Sequence, residues 1–241
     1  MPTPNEKLAD SLKVLKALQD QGVRVFRPSI LPSLTRVHRE RLVTAGFLKQ
    51  IVQGWYLPNN PEDADGDSTL WYANMEVFVA AYATERFGSD WQLSAELSIL
   101  KHSGHTSIAK QLQVQAPKAN NNLQELPHGC SMFLYRIPQA LLAPERTPDS
   151  NGMMLMPLPD ALVRVSPTFF TQYEMASQVV MRQVDVSLLI ARLLDGGHSR
   201  IAGRMAGALR AVGRDADANQ LVATMKAALY TVTEGNPFKR A

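Results

Sequence analysis

The chain of 241 residues has one cysteine, no long apolar run and no signal-sequence pattern in its first residues. The single Cys130 excludes an intramolecular disulfide and a cysteine-rich zinc site, and we interpret it as a small buried hydrophobe. No apolar run approaches the ~20 residues that span a bilayer, and the N-terminal residues lack the basic region and apolar core of a signal sequence. We therefore expect a cytoplasmic protein without a membrane partner.

The signatures of common enzymes are also missing. The sequence has no G-x-x-x-x-G-K-[ST], no G-x-S-x-G, no H-E-x-x-H and no paired C-x-x-C. The sequence therefore gives no support to a phosphate-binding loop, a serine-hydrolase active site or a zinc site of those classes. His102, His105 and His128 lack metal-ligand spacing and are explained more simply as solvated loop residues or helix-end caps. We expect no enzyme activity, no cofactor and no metal.

Positive charge is concentrated between Val23 and Pro58. Glu40 is the only acid in this stretch, so the local balance is +5 within a whole-chain balance of +3. The basic residues are Arg24, Arg27, Arg36, Arg39, Arg41 and Lys49. Such a concentration on one small module is typical of a surface that binds phosphates, because neutralising phosphates releases counterions.

The same region has the pattern of a winged helix-turn-helix over residues 1–60. A capping box at Thr3 with Pro4 predicts a first helix that ends at Gly22, and Val23–Phe26 fits a short strand. A second helix is predicted from Thr35, or just before it, to Gly46. Two strands, 47–51 and 55–57, then flank Val52-Gln53-Gly54 and predict a hairpin, the wing.

The second helix is predicted to have two faces. On a helical wheel one side is apolar, flanked by His38 and Arg41, and comprises Leu34, Val37, Leu42 and Ala45. The opposite, free side comprises Arg36, Arg39, Glu40 and Val43, and Arg36 and Arg39 would stand together there. We expect Thr35, Arg36 and Arg39 to face base edges in the major groove. We expect Arg27, Arg41, Lys49 and Gln53 to hold phosphates.

Beyond the wing, the pattern predicts two further regions and an α+β fold class overall. An acidic segment, 59–68, looks like a linker, followed by a mixed α/β region over 69–158. Its predicted elements are helices 69–87 and 95–102 and strands 112–114, 130–137 and 153–158. Residues 159–241 are predicted to be helical, with Asp185, Ser199 and Asp215 opening helices over 186–194, 200–212 and 215–229.

Two features of the helical region have alternative interpretations. Gly196-Gly197-His198-Ser199 is either a helix break with a serine cap, which is the commoner case, or an anion site at exposed amides. A second basic series has acids close by in the sequence and is interpreted as a solvated or partner-facing surface, with a second DNA contact as the alternative. It comprises Arg200, Arg204, Arg210 and Arg214.

Two runs of the sequence resemble the abortive-infection AbiEi antitoxin family. The first, residues 41–48 with 51 and 54–58, matches R-L-V-x-x-G-x-L and a wing that ends G-x-Y, and the second is residues 93–104. The resemblance covers about residues 20–140. It implies a DNA-binding repressor of its own operon and an antitoxin against a nucleotidyltransferase toxin. Gln50 and Gln53 stand where more basic residues are common in that family, which implies weaker DNA affinity.

The last third also resembles the segment that precedes the catalytic domain in long Fic-type proteins, although the H-x-F-x-x-G-N-G-R signature is absent. The competing hypothesis is therefore a protein-interaction module for a toxin or a Fic-type enzyme, without specific DNA binding. Our leading prediction is a sequence-specific DNA-binding regulator. Its expected partners are double-stranded DNA, a cognate toxin and a second copy of the chain.

Overall fold

Helices and short strands are mixed up to Leu155, and only helices follow among the described residues, which agrees with the predicted α+β fold class. The computed structural model describes residues 3–62 and 68–239. The helices are α1 (Pro4–Asp20), α2 (Arg36–Thr44), α3 (Thr69–Phe87), α4 (Ala95–His102), α5 (Leu158–Arg164), α6 (Phe169–Gln172), α7 (Glu174–Gln183), α8 (Val186–Asp195), α9 (Ser199–Ala211) and α10 (Asp215–Ala227). The strands are β1 (Leu48–Val52), β2 (Trp55–Pro58), β3 (Gln92–Leu93), β4 (Gln111–Ala116), β5 (Asn122–Glu125), β6 (Ser131–Arg136), β7 (Thr147–Pro148) and β8 (Met154–Leu155).

The N-terminal elements begin with the predicted capping box. The Thr3 hydroxyl accepts a hydrogen bond from the Glu6 amide at 3.3 Å, and the Glu6 carboxylate accepts one from the Thr3 amide at 2.6 Å. α1 is followed by a 3-10 turn over Pro28–Ile30, by α2 and by the antiparallel β1–β2 hairpin. The strand predicted at 23–26 is reduced to one bridge between Phe26 and Tyr56, because the proline at position 28 cannot continue a ladder.

These elements enclose the first of three apolar cores. Its buried members are Leu15, Leu18, Phe26, Leu34, Leu42, Leu48 and Tyr56. Val37 was predicted to lie on this apolar side, and that prediction is wrong, because its side chain is 51% exposed. Leu34 precedes α2, and its neighbour Thr35 has an extended ψ of 163°. Helical spacing therefore does not relate position 34 to position 37.

A second core lies between α3 and a four-stranded sheet of order β3-β4-β6-β5. β4 and β6 are parallel, with Leu112 opposite Met132, whereas the two edge strands are antiparallel to their neighbours. Trp55 and Leu57 of β2 belong to this core, and the Trp55 ring meets Phe78 edge-on at 5.6 Å. The hairpin therefore packs directly against α3. Part of the predicted acidic linker, residues 63–67, lies outside the described residues.

The edge strand β5 was not predicted, because its sequence is mostly polar. A turn lies just before it, at Asn121 with φ 55°. Leu123 is paired with Phe133 of β6 and is 50% exposed. An edge strand with one solvated face does not need apolar alternation, so its sequence carries little signal.

The helices after residue 158 form the third core together with α4. Asp185 caps α8 as predicted, accepting hydrogen bonds from the amides of Ser187 and Leu188 at 2.8 and 3.1 Å. The predicted Ser199 cap is wrong, because Ser199 is already the first residue of α9 and His198 occupies the cap position without a side-chain hydrogen bond. None of the helices within 3–62 and 68–239 has the length and apolarity to cross a membrane.

Residues 231–238, which we call the C-terminal tail, lie along α9. The Gly235 amide donates to the Gly203 carbonyl at 3.3 Å, and Arg210 pairs with Glu234 at 2.5 Å. A Cβ atom on Gly203 would come within 2.0 Å of the Thr233 carbonyl oxygen. The small residues of α9 therefore make room for the tail backbone.

Candidate nucleic-acid interface

α2 is held against α1 on its inner side. Leu42 is fully buried, and the His38 ring Nδ1 lies 2.9 Å from the buried Ser11 hydroxyl. Arg41 donates to the Lys7 carbonyl at 3.4 Å. Arg41 is therefore half-buried between the two helices, where the sequence predicted a phosphate contact. These contacts fix which face of α2 points outward.

The outward face of α2 starts at Thr35, whose hydroxyl caps the helix by accepting from the His38 amide at 3.4 Å. Arg36 is 81% exposed and pairs with Glu40 at 2.6 Å. That hydrogen bond holds the pKa of Glu40 below its usual value, and the charges of Arg36 and Arg39 act in the same direction. Val37 is exposed on the same face. The outward face thus combines guanidinium, carboxylate and apolar groups.

Arg39 does not stand free beside Arg36 as predicted. It is half-buried, and its guanidinium carbon lies 5.8 Å from the centroid of the Tyr56 ring in β2. A guanidinium over an aromatic face is attracted by the ring quadrupole. Arg39 is therefore held between α2 and the hairpin, with its charge still near the outward face.

The hairpin presents exposed polar side chains close to its turn. Lys49, Gln50 and Gln53 are exposed, and Gln50 donates to the Val52 carbonyl at 3.3 Å. Lys49 forms no ion pair with any described residue. Its ammonium is therefore available to an anion, and the phosphate contact stays a prediction.

Arg27 is not free for phosphate, which corrects the role predicted for it. Its guanidinium forms an ion pair with Glu85 of α3 and lies 5.1 Å from the centroid of the Trp55 ring. One of its Nη atoms would be 2.8 Å from a Cβ on Gly54, so this glycine leaves room for the arginine. Arg27 therefore braces the hairpin against α3.

A polar groove of about 500 Å³ lies next to Arg27 and Trp55. Gln53, Arg86 and Gln124 line it, and Arg86 donates to the Tyr82 hydroxyl at 3.1 Å. Arg86 was missed in the sequence analysis because α3 lies outside the basic module. Only its packing against the hairpin places it near the candidate interface.

Arg24 is exposed, but its guanidinium is also occupied by hydrogen bonds within the protein. Its guanidinium donates to the side chains of Asn74 at 3.0 Å and Asn151 at 3.4 Å and to the Ala73 carbonyl. Asn151 in turn donates to Glu76 at 2.8 Å. This polar network joins the N-terminal elements to α3 and to the turn before β8. Fewer basic residues between Val23 and Pro58 are therefore free to bind an anion than their number in the sequence suggests.

The histidines singled out in the sequence have individual contacts. His102 Nε2 lies 2.7 Å from the Met156 carbonyl, and the His105 ring meets Tyr173 edge-on at 6.1 Å. Cys130 is 3% exposed, in agreement with its prediction as a buried hydrophobe. Across the described segments, no three His, Cys, Asp or Glu side chains are grouped so that they could hold a metal ion.

Comparison with known proteins gives a likeness of fold. No family model and no curated protein matches the chain. The crystal structure of the RV2827C protein from Mycobacterium tuberculosis is similar, with a TM-score of 0.52 at 20% identity. The match covers 89% of this chain and 81% of that one. The shared architecture therefore extends over most of both chains.

Proposed function

We propose that the chain is a sequence-specific DNA-binding regulator whose residues 1–60 form a winged helix-turn-helix. The observation that carries the proposal is the solvent-facing side of α2, which bears Arg36 and Val37 and lies beside a hairpin with a free Lys49. A helix of this kind enters the major groove while the wing contacts the backbone.

Within this proposal, Thr35, Arg36 and Arg39 read base edges from the N-terminal half of α2. Arginine pairs with guanine through two hydrogen bonds, and an exposed Val37 suits the methyl group of thymine. Lys49 and Gln53 contact phosphates and set the register. Arg27 orients the hairpin through its ion pair with Glu85 and its contact with the Trp55 ring. Glu40 pairs with Arg36 and repels phosphate, so it favours one orientation of the helix.

The regulatory role rests on the resemblance to AbiEi antitoxins, which supports an autorepressor of a toxin–antitoxin operon. The chain would then bind double-stranded DNA upstream of its own gene and a toxin encoded nearby. The likeness to the mycobacterial structure supports the fold alone, since identity is 20%.

The assignment of roles is tested by fluorescence anisotropy with the chain's own upstream DNA and a scrambled duplex. Arg36→Ala should weaken binding to the upstream DNA by about 1–3 kcal/mol and relax specificity, because it removes a base contact. Lys49→Ala should weaken binding to both duplexes equally and lower the slope of log affinity against log salt concentration by about one. Arg182→Ala, an exposed arginine of α7, is the matched control.

A double variant, Arg36→Ala with Glu40→Ala, separates base reading from charge. It leaves the net charge of the helix face unchanged. If the double variant regains the affinity lost by Arg36→Ala, the arginine acts through charge alone and its base-reading role is refuted. Continued loss of specificity supports direct contact.

A second candidate function, binding of a protein partner, is favoured by an open groove of about 880 Å³ between the sheet and α5 and α8. Tyr135 and Leu141 line it and are 41% and 48% exposed. Large apolar side chains half-exposed in a groove are typical of interaction sites. Leu141→Asp should then abolish co-purification of a partner without changing DNA affinity.

A further inference from the structure

A third groove, of about 680 Å³, lies between α6, α9 and the C-terminal tail. Thr168 and Thr171 line it from the start of α6, Arg200 and Arg204 line it from α9, and Lys239 lines it just beyond the tail. The described residues that line it include three cations and no carboxylate. We call it the tail groove.

The two arginines of the tail groove have no anionic partner among residues 3–62 and 68–239. The other arginines of this basic series do have partners. Arg210 pairs with Glu234, and Arg214 pairs with Asp217 at 2.5 Å and donates to the carbonyls of Met181 and Val184. Nearby carboxylates therefore neutralise Arg210 and Arg214, whereas none neutralises Arg200 or Arg204 among the described residues.

The position of these charges on α9 adds to their repulsion. Arg200 lies in the first turn of the helix and Arg204 one turn later, and the first turn has no acid and no side-chain cap. The N-terminus of a helix carries partial positive charge, so cations there are unfavourable. α10 shows the ordinary arrangement, with Asp215 and Asp217 in its first turn.

Arg204 is also held in place. It is half-buried, and its guanidinium carbon lies 6.0 Å from the centroid of the Phe170 ring. Burial lowers the pKa of Arg204, and the charge of Arg200 acts in the same direction. A partly desolvated guanidinium with a like charge beside it is stabilised by an anion, because charge-assisted hydrogen bonds strengthen as water is excluded.

We propose that the tail groove is a binding site for a phosphoryl dianion, either free phosphate or the phosphate of a small phosphomonoester. Guanidinium groups match the geometry of phosphate oxygens. Lys239 can add a third cationic donor. This site goes beyond the DNA-binding function proposed above and lies on different elements. Since the tail forms one wall, the bound anion would also fix the tail against α9.

The experiment is isothermal titration of the full chain with inorganic phosphate, at ionic strength held constant with chloride. A second arm uses a nucleoside 5′-monophosphate. We expect saturable binding of at least one ligand, and the tighter of the two identifies whether the source is the free ion or the ester. Arg200→Gln and Arg204→Gln should each weaken binding about tenfold, since each removes a charge-assisted contact.

Arg182→Gln is the matched control, because this exposed arginine lies on α7 outside the tail groove. Arg200 is exposed and has no described contact, so its substitution should leave the fold intact even if Arg204→Gln does not. The proposal is overturned if neither ligand binds. It is also overturned if Arg182→Gln weakens binding as much as Arg200→Gln and Arg204→Gln do. A loss of duplex-DNA affinity in Arg200→Gln with unchanged phosphate binding would make the groove a DNA contact and would also overturn it.

Discussion

Replacing Gly207 by alanine tests whether the C-terminal tail is part of the folded structure. In a helix interior, alanine is about 0.5–1 kcal/mol more favourable than glycine. Helix propensity alone therefore predicts that Gly207→Ala stabilises the protein. The structure predicts the opposite sign, because the new Cβ would lie 2.1 Å from the Gly235 carbonyl oxygen.

The size of the destabilisation depends on which contacts the C-terminal tail loses. Overpacking against a backbone atom costs about 1–3 kcal/mol unless the tail moves away. If it moves, the partly buried Val232 and Phe238 lose their contacts with the helical core, about 1 kcal/mol each for half-burial. After subtraction of the propensity gain, we expect a net loss of about 1–2 kcal/mol, or a fall in Tm of about 2–8 °C for a chain of this size.

The assay is thermal and urea unfolding of the full chain and of a chain truncated after Tyr230. In the truncated chain the obstruction is gone, so Gly207→Ala should become neutral or stabilising. Gly203→Ala provides a second test of the same kind, since its Cβ would meet the Thr233 carbonyl. Stabilisation of the full chain by either substitution would refute the tail packing described here.

Three other substitutions test named contacts. Arg27→Gln should lower the free energy of unfolding by about 1 kcal/mol through loss of the Glu85 pair and should leave the salt slope of DNA binding unchanged, as urea and salt titrations can show. Glu234→Gln should release the tail to limited proteolysis at neutral pH. In the parent protein the hydrogen bond from Arg210 lowers the pKa of Glu234, so the contact is present at neutral pH and is lost only as pH falls from about 4.3 through that lowered value. Arg24→Ala should increase amide hydrogen exchange at the start of α3, whereas protection equal to that of the parent chain would show that the polar network does not join the two parts.

Features set by neighbours in the sequence could be predicted. The capping box at Thr3 and the Asp185 cap depend on residues two or three positions away, and the glycine at position 54 is enough to indicate the hairpin turn. Val37 was misplaced because the helical wheel was extended to Leu34, one residue before the cap. A wheel that starts at Arg36 would have left Val37 on the free face.

The roles of individual arginines could not be predicted, because their partners are distant in the chain. Arg27 pairs with a carboxylate 58 residues later, and Arg24 with an amide 50 residues later. Sequence reasoning assigned Arg27 to phosphate because a count of charges does not show which of them are neutralised by folding. The tail groove shows the converse case. The acids near Arg200 and Arg204 in the sequence suggested neutralisation, yet the fold directs those acids to other arginines.

The proposed function is tested most directly by the ratio of two binding constants for the full chain. One is for DNA from upstream of its own gene, and the other is for a scrambled duplex of equal length, each measured by anisotropy at two salt concentrations. A base-reading regulator should bind its own DNA about a thousandfold or more tightly than the scrambled duplex at physiological salt. Equal, weak and equally salt-dependent binding would contradict the proposal and would leave the groove lined by Tyr135 and Leu141 as the better candidate site.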